Sequence, residues 1–152
     1  MKKITKVLLF VSLIFCFSAV DANAQQTPAY KISNVKISPF EQTTGKFEDE
    51  ITASDDRSFF NDLSKGLFVT VEITGKPESY EAKRQLEVTV MEGAKVKLKK
   101  VYMAGILNEQ GKFYFPVWLD APMCSEVKIT ARITGQKTAA TTTRKVAFQC
   151  GE

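Results

Sequence analysis

Leu67-Phe68-Val69-Thr70-Val71-Glu72-Ile73-Thr74 alternates aliphatic with mixed residues, and this period of two decides the fold. Successive side chains of a strand point to opposite faces, so Leu67, Val69, Val71 and Ile73 line one buried face while Thr70, Glu72 and Thr74 look away. A helix would scatter the same four aliphatics around its circumference. Gly75-Lys76-Pro77 then stops the run with turn chemistry.

The same period extends outward in both directions. Leu86, Val88 and Val90 repeat it until Glu92-Gly93 turns the chain. Val96 and Leu98 follow, with Lys95, Lys97 and Lys99 on the opposite face, and the run continues through Val101 and Met103 towards Ile106. Asn108-Glu109-Gln110-Gly111 reads as a hairpin turn. In the next strand Phe113, Phe115, Val117 and Leu119 share one face and Tyr114 and Trp118 the other. Pro116 cannot donate a ladder hydrogen bond, which predicts a sheet edge or a bulge there. Glu126 to Thr134 and Thr142 to Cys150 are the last two strands, joined through Gly135-Gln136-Lys137. Near the start, Tyr30 and Ile32 and then Val35 and Ile37 predict a strand whose buried face switches at a bulge, with Pro39 at its end.

One segment departs from the rhythm. Ser54 can cap a helix, Asp55 and Asp56 suit its positive end, Phe59, Phe60 and Leu63 make an apolar stripe, and Lys65-Gly66 fit a terminus. The expectation is an all-β, antiparallel β-sandwich of about seven strands with one short helix near residues 55–65.

The amino terminus differs chemically from everything after it. Lys2, Lys3 and Lys6 supply positive charge, and Val7 to Val20 form an apolar stretch interrupted only by Ser12 and Ser18. Ala22-Asn23-Ala24 offers small residues at the positions a signal peptidase inspects. The apolar stretch is shorter than the roughly 20 residues of a spanning helix. We therefore expect residues 1–24 to be a signal peptide cleaved between Ala24 and Gln25, residues 25–152 to form a single domain, and no transmembrane segment after cleavage. The location implied is secreted or periplasmic.

Cleavage changes the composition that matters. Removing three lysines and Asp21 from 21 basic and 17 acidic residues leaves 18 against 16, a net charge of +2. That is too weak a field for nucleic-acid binding. Cys16 leaves with the leader, and Cys124 and Cys150 remain. In an oxidising compartment an even pair predicts an internal disulfide; two free thiols or an intermolecular bridge are the alternatives. A strict hairpin pairing of the two cysteines would set Ile129 against Lys145, whereas the apolar faces want Ile129 near Val146. Cys124 is accordingly expected in a corner or past a bulge.

That corner, Asp120-Ala121-Pro122-Met123-Cys124 between two strands, resembles the turn before the second cysteine-bearing strand of immunoglobulin-like sandwiches. The resemblance implies an immunoglobulin-like arrangement of the strands. The chain departs from that pattern in having no tyrosine two residues before Cys124, no cysteine in an early strand, and its single tryptophan, Trp118, on a late one.

Chemistry is restricted by what the chain lacks. It contains no histidine, which removes the usual general base and the Ser-His and Cys-His nucleophile pairs. Its glycines stand singly, so no phosphate-cradling loop is present. Ser33 with Lys36 and Ser125 with Lys128 have the spacing of a serine–lysine nucleophile, but on strands residues three apart point opposite ways. No catalytic, cofactor-binding or metal-binding residue is assigned. Glu48, Asp49, Glu50, Asp55, Asp56 and Asp62 invite calcium binding or paired-carboxylate catalysis, against the simpler account of a solvated surface.

Two surfaces remain as binding candidates. Lys95, Lys97, Lys99 and Lys100, with Lys83 and Arg84 as neighbours, form a basic stripe that either contacts an anionic ligand or guards an edge strand against pairing, the latter being preferred. Tyr102, Tyr114 and Trp118 form either a carbohydrate-stacking platform or a second buried layer. The sequence thus points to an exported, noncatalytic sandwich with a protein or glycan partner in the envelope or outside the cell, or a structural role there. A small carboxylate- or calcium-dependent enzyme centred on residues 48–62 is the alternative.

Overall fold

The computed structural model describes residues 29–52, 54–55, 58–61, 64–106, 108–120 and 123–150. The expected leader and the expected cleavage site at Ala24 and Gln25 lie outside them, as do Asp56 and Asp62. Among the described residues the chain is all-β. In order the strands are β1 (Lys31–Glu41), β2 (Lys46–Phe47), β3 (Ser58–Asn61), β4 (Lys65–Thr74), β5 (Ser79–Glu92), β6 (Lys95–Ile106), β7 (Lys112–Leu119), β8 (Val127–Thr134) and β9 (Ala140–Cys150).

The strands form two sheets, ordered β2-β1-β4-β7 and β3-β9-β8-β5-β6. Every pairing is antiparallel except that of β3 with β9. Alternation does the work anticipated for it. Leu67, Val69, Val71 and Ile73 of one sheet meet Leu86, Val88, Val90, Val127, Ile129, Ala131 and Ile133 of the other in one hydrophobic cluster, all of them wholly buried. Each of the leucine, valine and isoleucine side chains contributes roughly 1.5–3 kcal/mol by leaving water. No helix among these residues is long and apolar enough to cross a membrane.

Three expectations need correction. Among the described residues nine strands stand where about seven were expected, because two short ones, β2 and β3, join the seven that period-two reading located. The helix near residues 55–65 is not formed: Ser58–Asn61 is instead strand β3, paired with Ala147 to Cys150 of β9. Asp55, Ser58 and Asn61 are weak helix formers and adjacent phenylalanines favour extended backbone, so a segment too short to hold a helix alone takes the hydrogen bonds that the edge of β9 offers. Pro39, finally, does not end β1. It sits opposite Leu67 with its carbonyl turned away from β4 to accept from Glu48 N, so its missing N–H costs the ladder nothing.

The bulge anticipated in β1 is present between Ile32 and Asn34. β8 and β9 pair with Val127 opposite Val146 and Ile129 opposite Arg144, so Ile129 does not face Val146 as expected: the ladder is displaced by one residue from the strict cysteine-to-cysteine register in the opposite direction, which still sets Val127 and Val146 on the buried face. Cys124 therefore lies in the corner before β8, where its Cα comes 4.8 Å from that of Cys150 and the two form a disulfide.

Candidate functional site

The outer face of the four-stranded sheet carries a group of four aromatic rings, two exposed and two half-buried. Phe40 lies opposite Phe47 on β2 and opposite Gly66 on β4, and Phe68 lies opposite Trp118 on β7, so cross-strand pairing sets all four aromatics on one face. Ring centroids are 5.0 Å apart for Phe40–Phe47, 5.3 Å for Phe40–Trp118, 5.8 Å for Phe47–Phe68 and 6.3 Å for Phe68–Trp118. Gly66 makes this closeness feasible. A Cβ there would meet the indole of Trp118 at 3.0 Å and the Leu119 carbonyl at 3.2 Å, so Trp118 lies across the glycine towards Phe40. The rings shield one another only in part, Phe47 being 57% and Trp118 40% exposed. Tyr114, four residues before Trp118 on the same face, is 50% exposed, and the strand rise sets the two about 13 Å apart.

Tyr102 does not belong to this face. It stands on β6 of the other sheet, half-buried against Phe115 at 5.3 Å, and its hydroxyl donates to the carbonyl of Pro116 at 2.8 Å. Burial pushes its phenol pKa above the ordinary value. The pair Tyr114 and Trp118 was legible from their shared parity. The additions of Phe40, Phe47 and Phe68 were not, because they arrive from strands whose register the sequence left open.

The lysines of β6 do not make a single stripe. Thr89 faces Lys99 across the sheet and the buried Val88 faces Lys100, which puts the two lysines on opposite faces. Lys97 bonds Glu92 at 2.9 Å, Lys99 stands 4.0 Å from Glu87, and Lys95 lies at the exposed strand start. Arg84 is removed from this group altogether. It is wholly buried with its guanidinium carbon 3.9 Å from the centre of the Tyr30 ring, and none of its three side-chain nitrogens has a hydrogen-bond partner among the described residues. Tyr30 is fixed in turn: its hydroxyl donates to the Ser79 carbonyl, and the side-chain amide of Gln136 pairs with its backbone N–H and carbonyl.

The acidic residues are distributed among separate structural contacts. Glu48 pairs with Lys65, and Glu50 lies 3.6 Å from Lys36. Glu41 accepts from the Ser64 hydroxyl, from Thr43 and from Lys65, and these bonds, that of Ser64 first, hold its carboxyl down at about 2. Among the described residues no three histidine, cysteine, aspartate or glutamate side chains are placed to hold a metal ion. Ser33 donates to the Glu72 carboxylate at 2.8 Å, not to Lys36, and Ser125 N donates to Glu92.

Two structural contacts were not foreseen from the sequence. Glu92 accepts from Cys124 N at 2.6 Å and Ser125 N at 3.2 Å, clamping the cysteine corner to the β5–β6 turn; the Cys124 N–H, then Lys97, hold its pKa below the ordinary carboxylate value. Arg144 reaches from β9 into the other sheet, donating to the carbonyls of Val35 at 2.9 Å and Ile51 at 2.8 Å. Its signal was present in the sequence, since Arg144 shares the parity of Val146 and Phe148. No known protein-family model matches the chain, and no curated protein sequence does.

Proposed function

We propose that the protein is exported by its cleavable leader and serves, without catalysing a reaction, as an immunoglobulin-like binding module of the periplasm or cell surface that holds a glycan on the aromatic face of its four-stranded sheet. The observation that carries this reading is the ring group Phe40, Phe47, Phe68 and Trp118, with Tyr114 further along β7. Exposed ring faces stack on the C–H faces of sugars, and the spacing of Tyr114 and Trp118 suits a chain of two or three sugar units. Thr70, Ser38 and Asn34 supply uncharged hydrogen-bonding groups on the same face, while Glu72 is occupied by Lys112 and Ser33.

The immunoglobulin-like assignment is supported by strand order. Counting only the seven long strands, the first, second and fifth make one sheet and the seventh, sixth, third and fourth make the other, which keeps the A-B-E and G-F-C orders of such sandwiches and places the fourth strand on the edge of the second sheet instead of the first. The disulfide is consistent with an oxidising compartment.

Trp118 is the sole tryptophan, so its emission reports on this face alone. Titration with neutral cello-, chito- and malto-oligosaccharides is expected to shift that emission for one of them and to protect it from acrylamide. Trp118→Ala and Tyr114→Ala should each weaken the binding seen by calorimetry. If emission stays unchanged and calorimetry is silent for all three series, the glycan reading fails.

A further inference from the structure

The long sheet edges are finished in different ways. Along the flank of β1 not covered by β2, the carbonyls of Val35, Ile37 and Pro39 accept from Arg144, from Ile51 N at 2.8 Å and from Glu48 N at 2.9 Å. On β7 the central residue, Pro116, has no N–H, and its carbonyl is taken by Tyr102. Because N–H and C=O of one strand residue point to the same side, Pro116 blunts the outer side of β7 and not its ladder with β4.

β6 is left open. It terminates the five-stranded sheet, and from Lys99 to Met103 no described side chain or loop bonds its outer backbone groups. Protection against pairing accounts for its lysines but not for Val101 and Met103, which share the face of Lys99 and are 51% and 64% exposed. Nor does a second copy of the chain suit this edge. A second β6 strand carries four lysines and no carboxylate, so in any register it brings Lys99 and Lys100 more positive charge and no opposite charge. Lys100, on the inner face beside the sandwich seam, has no carboxylate within ion-pair reach among the described residues.

We propose that β6 is a docking edge for an extended acidic segment of another protein, which adds as a further strand beside Lys99–Met103. Its backbone would complete the ladder, its carboxylates would meet Lys99 and Lys100, and its apolar side chains would cover Val101 and Met103. This surface is separate from the aromatic face and stands or falls independently of it.

The probe is a labelled synthetic peptide of about ten residues alternating Glu with Val, a length that matches an ordinary strand. Fluorescence anisotropy is expected to show binding that weakens with salt, that falls about tenfold when alternate peptide amides are N-methylated, and that falls about as much for Lys99→Gln/Lys100→Gln, whose melting temperature should match the parent's. Hydrogen exchange should slow at β6 amides when the peptide is bound. Absence of peptide binding overturns the proposal, as does equal binding of the N-methylated peptide, which would mean charge without strand addition. Binding to phosphatidylglycerol vesicles or heparin in place of the peptide overturns it as well and makes the edge a lipid or polyanion contact.

Discussion

The two sheets differ in what they expose and in how they are fastened. The four-stranded sheet shows aromatic rings on its outer face and has its edges interrupted by noncovalent devices: Arg144 and the 48–52 segment along β1, Pro116 with Tyr102 at the middle of β7. The five-stranded sheet has the disulfide at one end and leaves β6 unprotected except by lysines. A sheet whose edges are interrupted offers a partner its face, whereas one with an open edge can extend by a strand. The difference teaches that binding capacity in such a sandwich is set by which backbone groups remain unpaired as much as by which side chains are exposed.

The covalent side of this contrast is broken most strongly by Cys124→Ser with Cys150→Ser. Loss of a crosslink closing 26 residues is expected to lower unfolding stability by about 3–4 kcal/mol on the loop-entropy account, measured by urea denaturation. If the midpoint does not move, the disulfide does not set the stability of the five-stranded sheet. Arg144→Met tests the noncovalent side. It strands two carbonyls that now accept from a cation, and about 2–3 kcal/mol should be lost, with faster hydrogen exchange at Ile51 and along β1 but not at β6. Uniform loss of protection over both sheets would remove the claim that Arg144 serves the four-stranded edge.

The smallest effect is expected from acid. Glu41, beside the four-stranded sheet, and Glu92, at the corner of the five-stranded one, both have folded pKa values below the ordinary 4.5, the first at about 2. A depressed carboxyl contributes stability that is fully present above the unfolded value and is lost as pH falls through the folded one. Melting temperature should therefore decline between about pH 4.5 and 2, and Glu41→Gln and Glu92→Gln should each flatten that decline. An unchanged acid limb in both variants would mean that other carboxyls govern it.

The legible part of the fold was the part written in parity. Leu67 to Ile73, Leu86 to Val90 and Val127 to Ile133 declared their buried faces because the period of a strand is fixed by its own backbone. Phe59 and Phe60 misled because a helix and an edge strand compete closely in a segment this short, and the partner that decides, β9, is remote in sequence. The basic stripe misled for a similar reason: Lys99 and Lys100 are neighbours in sequence and on opposite faces in the sheet, and Arg84 turns inward over Tyr30.

By itself the sequence determined the strand runs and the absence of histidine chemistry, because each follows from composition or from a local period. Tertiary structure alone decided that Phe40, Phe47, Phe68 and Trp118 meet over Gly66, that Arg144 spans the two sheets, and that β6 is the edge left open. These depend on register and strand order. Both are chosen by long-range packing of one face against another, which no stretch of the chain encodes alone.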